Sequence, residues 1–109
     1  MQTITYKGEE YALEFNLNVM EEIQEEYGSI DAWSELFDTE NMSAKALKFG
    51  IMAMLNEGID IYNEEHEEKR PFFTSKQVGR VLAEVGLQEI AESVKNSVVD
   101  STDDGEKNE

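Results

Sequence analysis

The chain is expected to fold as an α+β domain, mainly helical, with an N-terminal β-hairpin packed on about five helices. Three observations predict this. Ile4, Tyr6, Tyr11, Leu13 and Phe15 recur at every second residue on either side of Gly8, which is strand periodicity around a turn. Val19, Ile23 and Tyr27 then recur at helical spacing until Gly28. Further helical stripes follow as far as Val98, separated by Ser, Thr, Gly and Pro.

The strands are expected at residues 3–6 and 11–15, with Lys7-Gly8-Glu9-Glu10 as the turn. A lone hairpin is marginal in water, so its apolar face must rest on helices. Either Asn16 or Asn18 can cap the first helix. Asn18 has Glu21 three residues on, and Asn16 would let Phe15 staple onto Met20. Val19, Ile23 and Tyr27 point inward, and Glu21, Glu22, Glu25 and Glu26 point largely outward. Gly28 suits the left-handed position that ends a helix.

Ser29 or Asp31 caps a short second helix carrying Ala32, Trp33, Leu36 and Phe37. Asp38-Thr39-Glu40-Asn41 reads as a loop. Ser43 caps a third helix with Leu47, Ile51, Met54, Leu55 and Gly58 on one stripe. Phe49, Met52 and Ala53 widen that stripe until the helix is apolar almost all round, so it is expected at the centre of the core. Gly50 inside it costs up to about 1 kcal/mol against alanine, which implies a close approach by a neighbouring backbone. The pattern persists through Tyr62 into a polar end around His66, and Pro71 forbids continuation. Thr74 with Gln77 forms a capping box for a fourth helix, with Val78, Val81, Leu82 and Val85 inward and Gly86 at its end. A fifth helix is expected from Leu87 to Val98. Residues 1–99 form the compact domain on this reading. Residues 100–109 are polar, acidic and free of aromatics, the composition of a disordered tail.

Composition narrows the function. A chain of 109 residues suits one domain with one modest core. There is no cysteine, which removes disulfides and thiolate metal sites. No apolar run approaches the about 20 residues that cross a bilayer, and no secretory signal is read at the start. A soluble cytoplasmic protein is the expectation. The net charge is −16, which repels phosphate backbones and anionic membranes. From Gly8 to Ala44 there are many carboxylates and no Lys or Arg. That half can meet a basic partner, mimic nucleic acid, or simply keep the protein soluble.

No constellation points to catalysis. His66 lies among four glutamates, but consecutive residues splay around a helix axis and do not converge on a metal. The glutamates lie on expected exposed faces, and spacing selects no acid/base pair. No phosphate loop or nucleophile elbow appears. No cofactor is expected. Thr74 to Val94 superficially suggests a helix-turn-helix, yet its second helix would turn Glu89 and Glu92 toward phosphates, the wrong sign for a DNA reader. Trp33 and the Phe72-Phe73 pair are the candidate exposed anchors for a partner, because aromatics are enriched at binding hot spots, with packing into the core or as a lid as the alternative. Glu21, Glu22, Glu25 and Glu26 complete the candidate partner-binding set.

The order of these elements is similar to a known family. Ile4-Thr5-Tyr6-Lys7-Gly8-Glu9-Glu10-Tyr11 leads into Leu13-Glu14-Phe15-Asn16-Leu17-Asn18, then into the acidic helix Met20 to Gly28. A buried helix from Ala46 to Leu55, the segment Phe73-Thr74-Ser75-Lys76-Gln77-Val78, a last helix and a polar tail follow. Over residues 3–98 this resembles the tail assembly chaperones of long-tailed bacteriophages and prophages. The resemblance implies a non-enzymatic protein of the host bacterial cytoplasm, absent from the mature virion. It implies that the chain coats the tape measure protein and helps the tail tube protein polymerise around it, with homo-oligomerisation left open. In such phages a frameshift near the gene's end often adds a second domain to a minority of molecules, and the acidic end from Asp100 would suit that junction. Met20, Met42, Met52 and Met54 would offer an adaptable lining, with Met52 and Met54 mainly in the core. The alternative classes are an acidic DNA mimic that inhibits a DNA-binding enzyme, and a small helix-turn-helix regulator.

Overall fold

The structure, a computed structural model, describes residues 2–36 and 43–86. It is an α+β fold in the order β1 (Gln2–Tyr6), β2 (Glu9–Leu13), α1 (Leu17–Tyr27), α2 (Ile30–Glu35), α3 (Ala44–Glu65) and α4 (Ser75–Val85). The described residues thus hold four helices. The expected fifth helix, the acidic tail, and Phe37 to Met42 lie outside them.

The hairpin turns more tightly than the sequence suggested. Tyr6 pairs with Glu9, so Lys7 and Gly8 alone make the turn. Both have positive φ, 52° and 81°, as a type I′ turn requires. Glu9 and Glu10 belong to β2. Ile4 and Leu13 are buried, and Phe15 is buried just beyond the strand.

Each helix begins at a local cap. Asn16 caps α1, accepting from the Val19 N–H at 3.2 Å. Asn18 is instead turned to α3, where its amide and that of Asn16 both donate to Glu57 Oε2 at 3.1 and 2.7 Å. Ser29 caps α2 and Ser43 caps α3, each accepting from the N–H three residues on. Thr74 and Gln77 form both halves of the capping box on α4. Gly28 and Gly86 take positive φ as α1 and α4 end.

The core forms around α3, whose Leu47, Ile51, Met54 and Leu55 are almost wholly buried. Val19 and Ile23 of α1, Val78 and Val81 of α4, and Ile4 and Leu13 of the hairpin close over it. Two glycines of α3 allow the closest approaches. At Gly58 a Cβ would lie 2.5 Å from the Ala12 carbonyl oxygen, so β2 runs against the helix backbone there. The Glu14 N–H donates to the Met54 carbonyl at 3.3 Å, two residues along. At Gly50 the neighbour is the Trp33 ring, which occupies the space a Cβ would need. The close backbone approach expected at Gly50 is therefore found at Gly58, and Gly50 serves a side chain.

That arrangement corrects the exposure expected of Trp33. It is 0% exposed, donates from its indole nitrogen to the Ala46 carbonyl at 3.0 Å, and stacks beside Phe15 at 6.4 Å. An indole has one polar atom, and a helix carbonyl beside a glycine gap satisfies it without solvent. Trp33 is a core residue and offers no exposed anchor.

Candidate binding face

The segment after α3 determines what the molecule presents. Residues 66–74 return along α3 and are held by two asparagines seven residues apart on that helix. Asn63 grips Arg70, donating to its carbonyl at 3.1 Å and accepting from its N–H at 2.8 Å. Asn56 grips Phe73 in the same two ways, at 3.1 and 2.8 Å. Each side-chain amide matches both hydrogen-bonding groups of one residue, as a neighbouring strand would.

The gripped residues turn toward the hairpin. The Arg70 guanidinium lies over the rings of Tyr11 and Tyr62, 4.8 and 4.3 Å from their centroids. It also donates to the Glu10 carbonyl at 3.2 Å and pairs with the Glu9 carboxylate at 3.1 Å. Phe73 is half-buried and meets Tyr11 and Tyr6 edge-on, at 5.1 and 6.3 Å. Phe72, between the two clamps, is left 52% exposed. The pair read from the sequence therefore divides: Phe73 packs and Phe72 projects.

Phe72 borders a trough along the outer side of α3. One hollow, of about 230 Å³, is lined by Phe72, Met52, Phe49, Glu22, Glu57 and Asp60 among others. A second, of about 390 Å³, shares Phe49 and Met52 and reaches Lys45, Lys48 and Ser75. The trough is thus apolar in the middle, acidic toward the C-terminal half of α3 and basic at its start. Met52 is only half-buried, so it joins this lining, whereas Met54 is 0% exposed and lies in the core. Phe49 is braced edge-on by Tyr27 at 5.5 Å. The Tyr27 hydroxyl is covered and has no hydrogen-bond partner among the described residues. Its pKa is raised by burial and by Glu26.

The four glutamates of α1 are all exposed, and Glu22 alone of them lines the trough. Partial desolvation lifts its carboxyl above the usual range, and the neighbouring carboxylates of Glu57, Glu25 and Glu21 add to the shift. Glu57 was not singled out from the sequence, and neither were Asn56 and Asn63. Among the described residues no cluster of His, Cys, Asp or Glu is arranged to hold a metal. His66 donates from Nδ1 to the Tyr62 carbonyl at 2.8 Å and stacks on the Tyr62 ring. No described helix is long and apolar enough to cross a membrane. The second helix of the superficial helix-turn-helix lies outside the described residues.

The fold and this face define a small α+β protein that presents an exposed aromatic beside an amphipathic trough. No protein-family model, curated protein or solved structure matches the chain.

Proposed function

We propose that the protein is a non-enzymatic tail assembly chaperone of a long-tailed phage or prophage, acting in the host bacterial cytoplasm on the tape measure protein. One observation carries the binding reading: Phe72 is held outward by clamps on either side of it, beside a trough lined by Phe49 and Met52. A large aromatic on a backbone clamped at either side loses less conformational freedom on binding than one on a free loop, which favours a hot spot. Methionine beside it adapts to varied apolar side chains. The occupant that fits is an amphipathic helix whose apolar stripe enters the trough and whose basic residues meet Glu22, Glu57 and Asp60. A tape measure protein is long and helical, and it supplies many such segments. Release without nucleotide hydrolysis is natural for so shallow a contact. The longer, frameshifted form belongs to the same proposal.

The test is co-expression with the neighbouring phage genes, followed by pull-down and mass spectrometry. A tape measure or tail tube protein should be recovered by the wild type. Phe72→Ala should lose roughly tenfold in affinity, as expected for a central aromatic, while keeping its circular dichroism and melting temperature. Equal capture by wild type and a folded Phe72→Ala would remove the trough from the proposal. The acidic DNA-mimic reading draws on the exposed glutamates of α1. Recovery of a nuclease, restriction enzyme or polymerase would move it to first place.

A further inference from the structure

We propose that the outer edge of β1 pairs with the same edge of a second copy of this chain, joining two hairpins into a four-stranded antiparallel sheet. Tyr6 and Glu9 close a two-residue turn, so Tyr6, Ile4 and Gln2 direct their backbone N–H and C=O groups toward β2. On β1 the groups of Thr3 and Thr5 therefore point away from the hairpin. On β2 the outward set is Glu10 and Ala12, followed by Glu14 just past the strand.

The outer side of β2 is occupied. The Glu10 carbonyl accepts from Arg70, the Ala12 carbonyl lies against Gly58, and the Glu14 N–H donates to Met54. On the other side, the backbone groups of Thr3 and Thr5 have no hydrogen bond to any described residue. An open edge is a template for another strand, and natural proteins usually blunt it with lysine, proline, a bulge or a cover. β1 reads Gln-Thr-Ile-Thr-Tyr, with no charge and no proline, in a chain that is 31% charged.

The same strand is complementary to itself. In an antiparallel pair centred on Ile4, Thr3 of each copy faces Thr5 of the other, and these are the residues whose backbone groups point outward. Each such pair exchanges two hydrogen bonds. Ile4 of each copy stays covered by its own core, and the threonines meet on the exposed side, a favourable cross-strand pair. The strand itself brings no charge to the approach. The β2 strands, with Glu9 and Glu10, fall at the far rims of the new sheet, about 14 Å apart at three strand spacings. That exceeds the Debye length of about 8 Å at physiological salt. A pair of copies would show two troughs to one long partner. The pairing rests on the β1 edge alone and stands whether or not the partner is a tape measure protein.

The test is sedimentation velocity on the full chain from micromolar to millimolar concentration, at low and high salt, with amide exchange read at Thr3 and Thr5. The expected result is a concentration-dependent dimer, tighter at high salt, in which both amides become protected as the dimer forms. Thr5→Pro removes an N–H that the hairpin's own ladder does not use, so the monomer should retain its fold. Dimerisation should weaken roughly tenfold or more, since two intermolecular hydrogen bonds are lost per dimer. Thr3→Pro repeats the test at the other outward-facing N–H, should proline at position 5 disturb the hairpin. A monomer throughout would overturn the proposal. So would a dimer that leaves both amides unprotected, or one that survives both substitutions.

Discussion

A methyl group added at Gly50 would overlap the Trp33 ring, whereas one added at Gly79 would meet only the flexible end of Lys48, at 3.7 Å. Both glycines lie inside helices, where alanine is preferred by roughly 0.5–1 kcal/mol. Gly79→Ala should therefore stabilise by about that amount. Gly50→Ala should destabilise by about 1–3 kcal/mol, the usual cost of overpacking a core. Urea unfolding of the two variants measures both signs, and a stabilising Gly50→Ala would mean that Trp33 is not seated as described. Glu22 makes a prediction of the same scale in pH. Its carboxyl is pushed above the ordinary 4.5, by partial desolvation first and then by Glu57, Glu25 and Glu21. The folded state therefore holds this proton more tightly than the unfolded chain. Its contribution is fully present below pH 4.5 and is lost as pH rises through the folded value. Glu22→Gln removes a charge the fold disfavours, so it should raise the melting temperature at pH 7 and give no such gain below pH 4.5. A gain that persisted unchanged into acid would assign the effect to something other than ionisation.

The elements show why some of this was legible and some was not. Helix starts are local signals: Ser43 and Thr74 reach only three residues along the chain, and both are caps as read. Asn16 and Asn18 carry equally good local signals and both donate to Glu57 on α3; what separates them is that only the Asn16 Oδ1 accepts from the first turn, at the Val19 N–H. Trp33 and Phe72 are alike as aromatics in a list. Only the gap at Gly50 buries one, and only the clamps expose the other. Gly50 was visible as an anomaly in an apolar helix, but no spacing rule identifies the side chain that fills it. Asn56 and Asn63 left no trace, because a polar residue on a helix ordinarily faces water and their partners depend on the path of the returning segment. Their importance is testable. Asn56→Ala leaves the Phe73 N–H and carbonyl without their partner in a half-buried site, and should cost about 1–3 kcal/mol. Amide exchange at Phe73 should accelerate in step, and the orientation of Phe72 should loosen, so partner capture should fall more than stability alone predicts. Unchanged exchange at Phe73 would show that the clamp does not hold the segment.

At the scale of the molecule, charge and packing oppose each other. A net −16 on 109 residues repels itself in the folded state, and much of it is carried by exposed glutamates on α1 and at the end of α3. Lys45 and Lys48 lie near the start of α3 while Glu57, Asp60, Glu64 and Glu65 crowd toward its end, the reverse of what the helix dipole prefers. Local choices that disfavour the isolated fold are expected where a protein meets something else. Salt then sets two of three processes against the third by sign. Screening self-repulsion should raise the melting temperature as ionic strength increases. The pairing of β1 edges joins two chains of like charge, so it should tighten in the same direction. Capture of a basic amphipathic helix in the trough draws on attraction, so it should weaken. One titration of sodium chloride, read by thermal melting, sedimentation and partner pull-down, follows all three. Partner binding that strengthens with salt would mean that apolar contact alone holds the complex and that Glu22, Glu57 and Asp60 serve only to keep the trough hydrated.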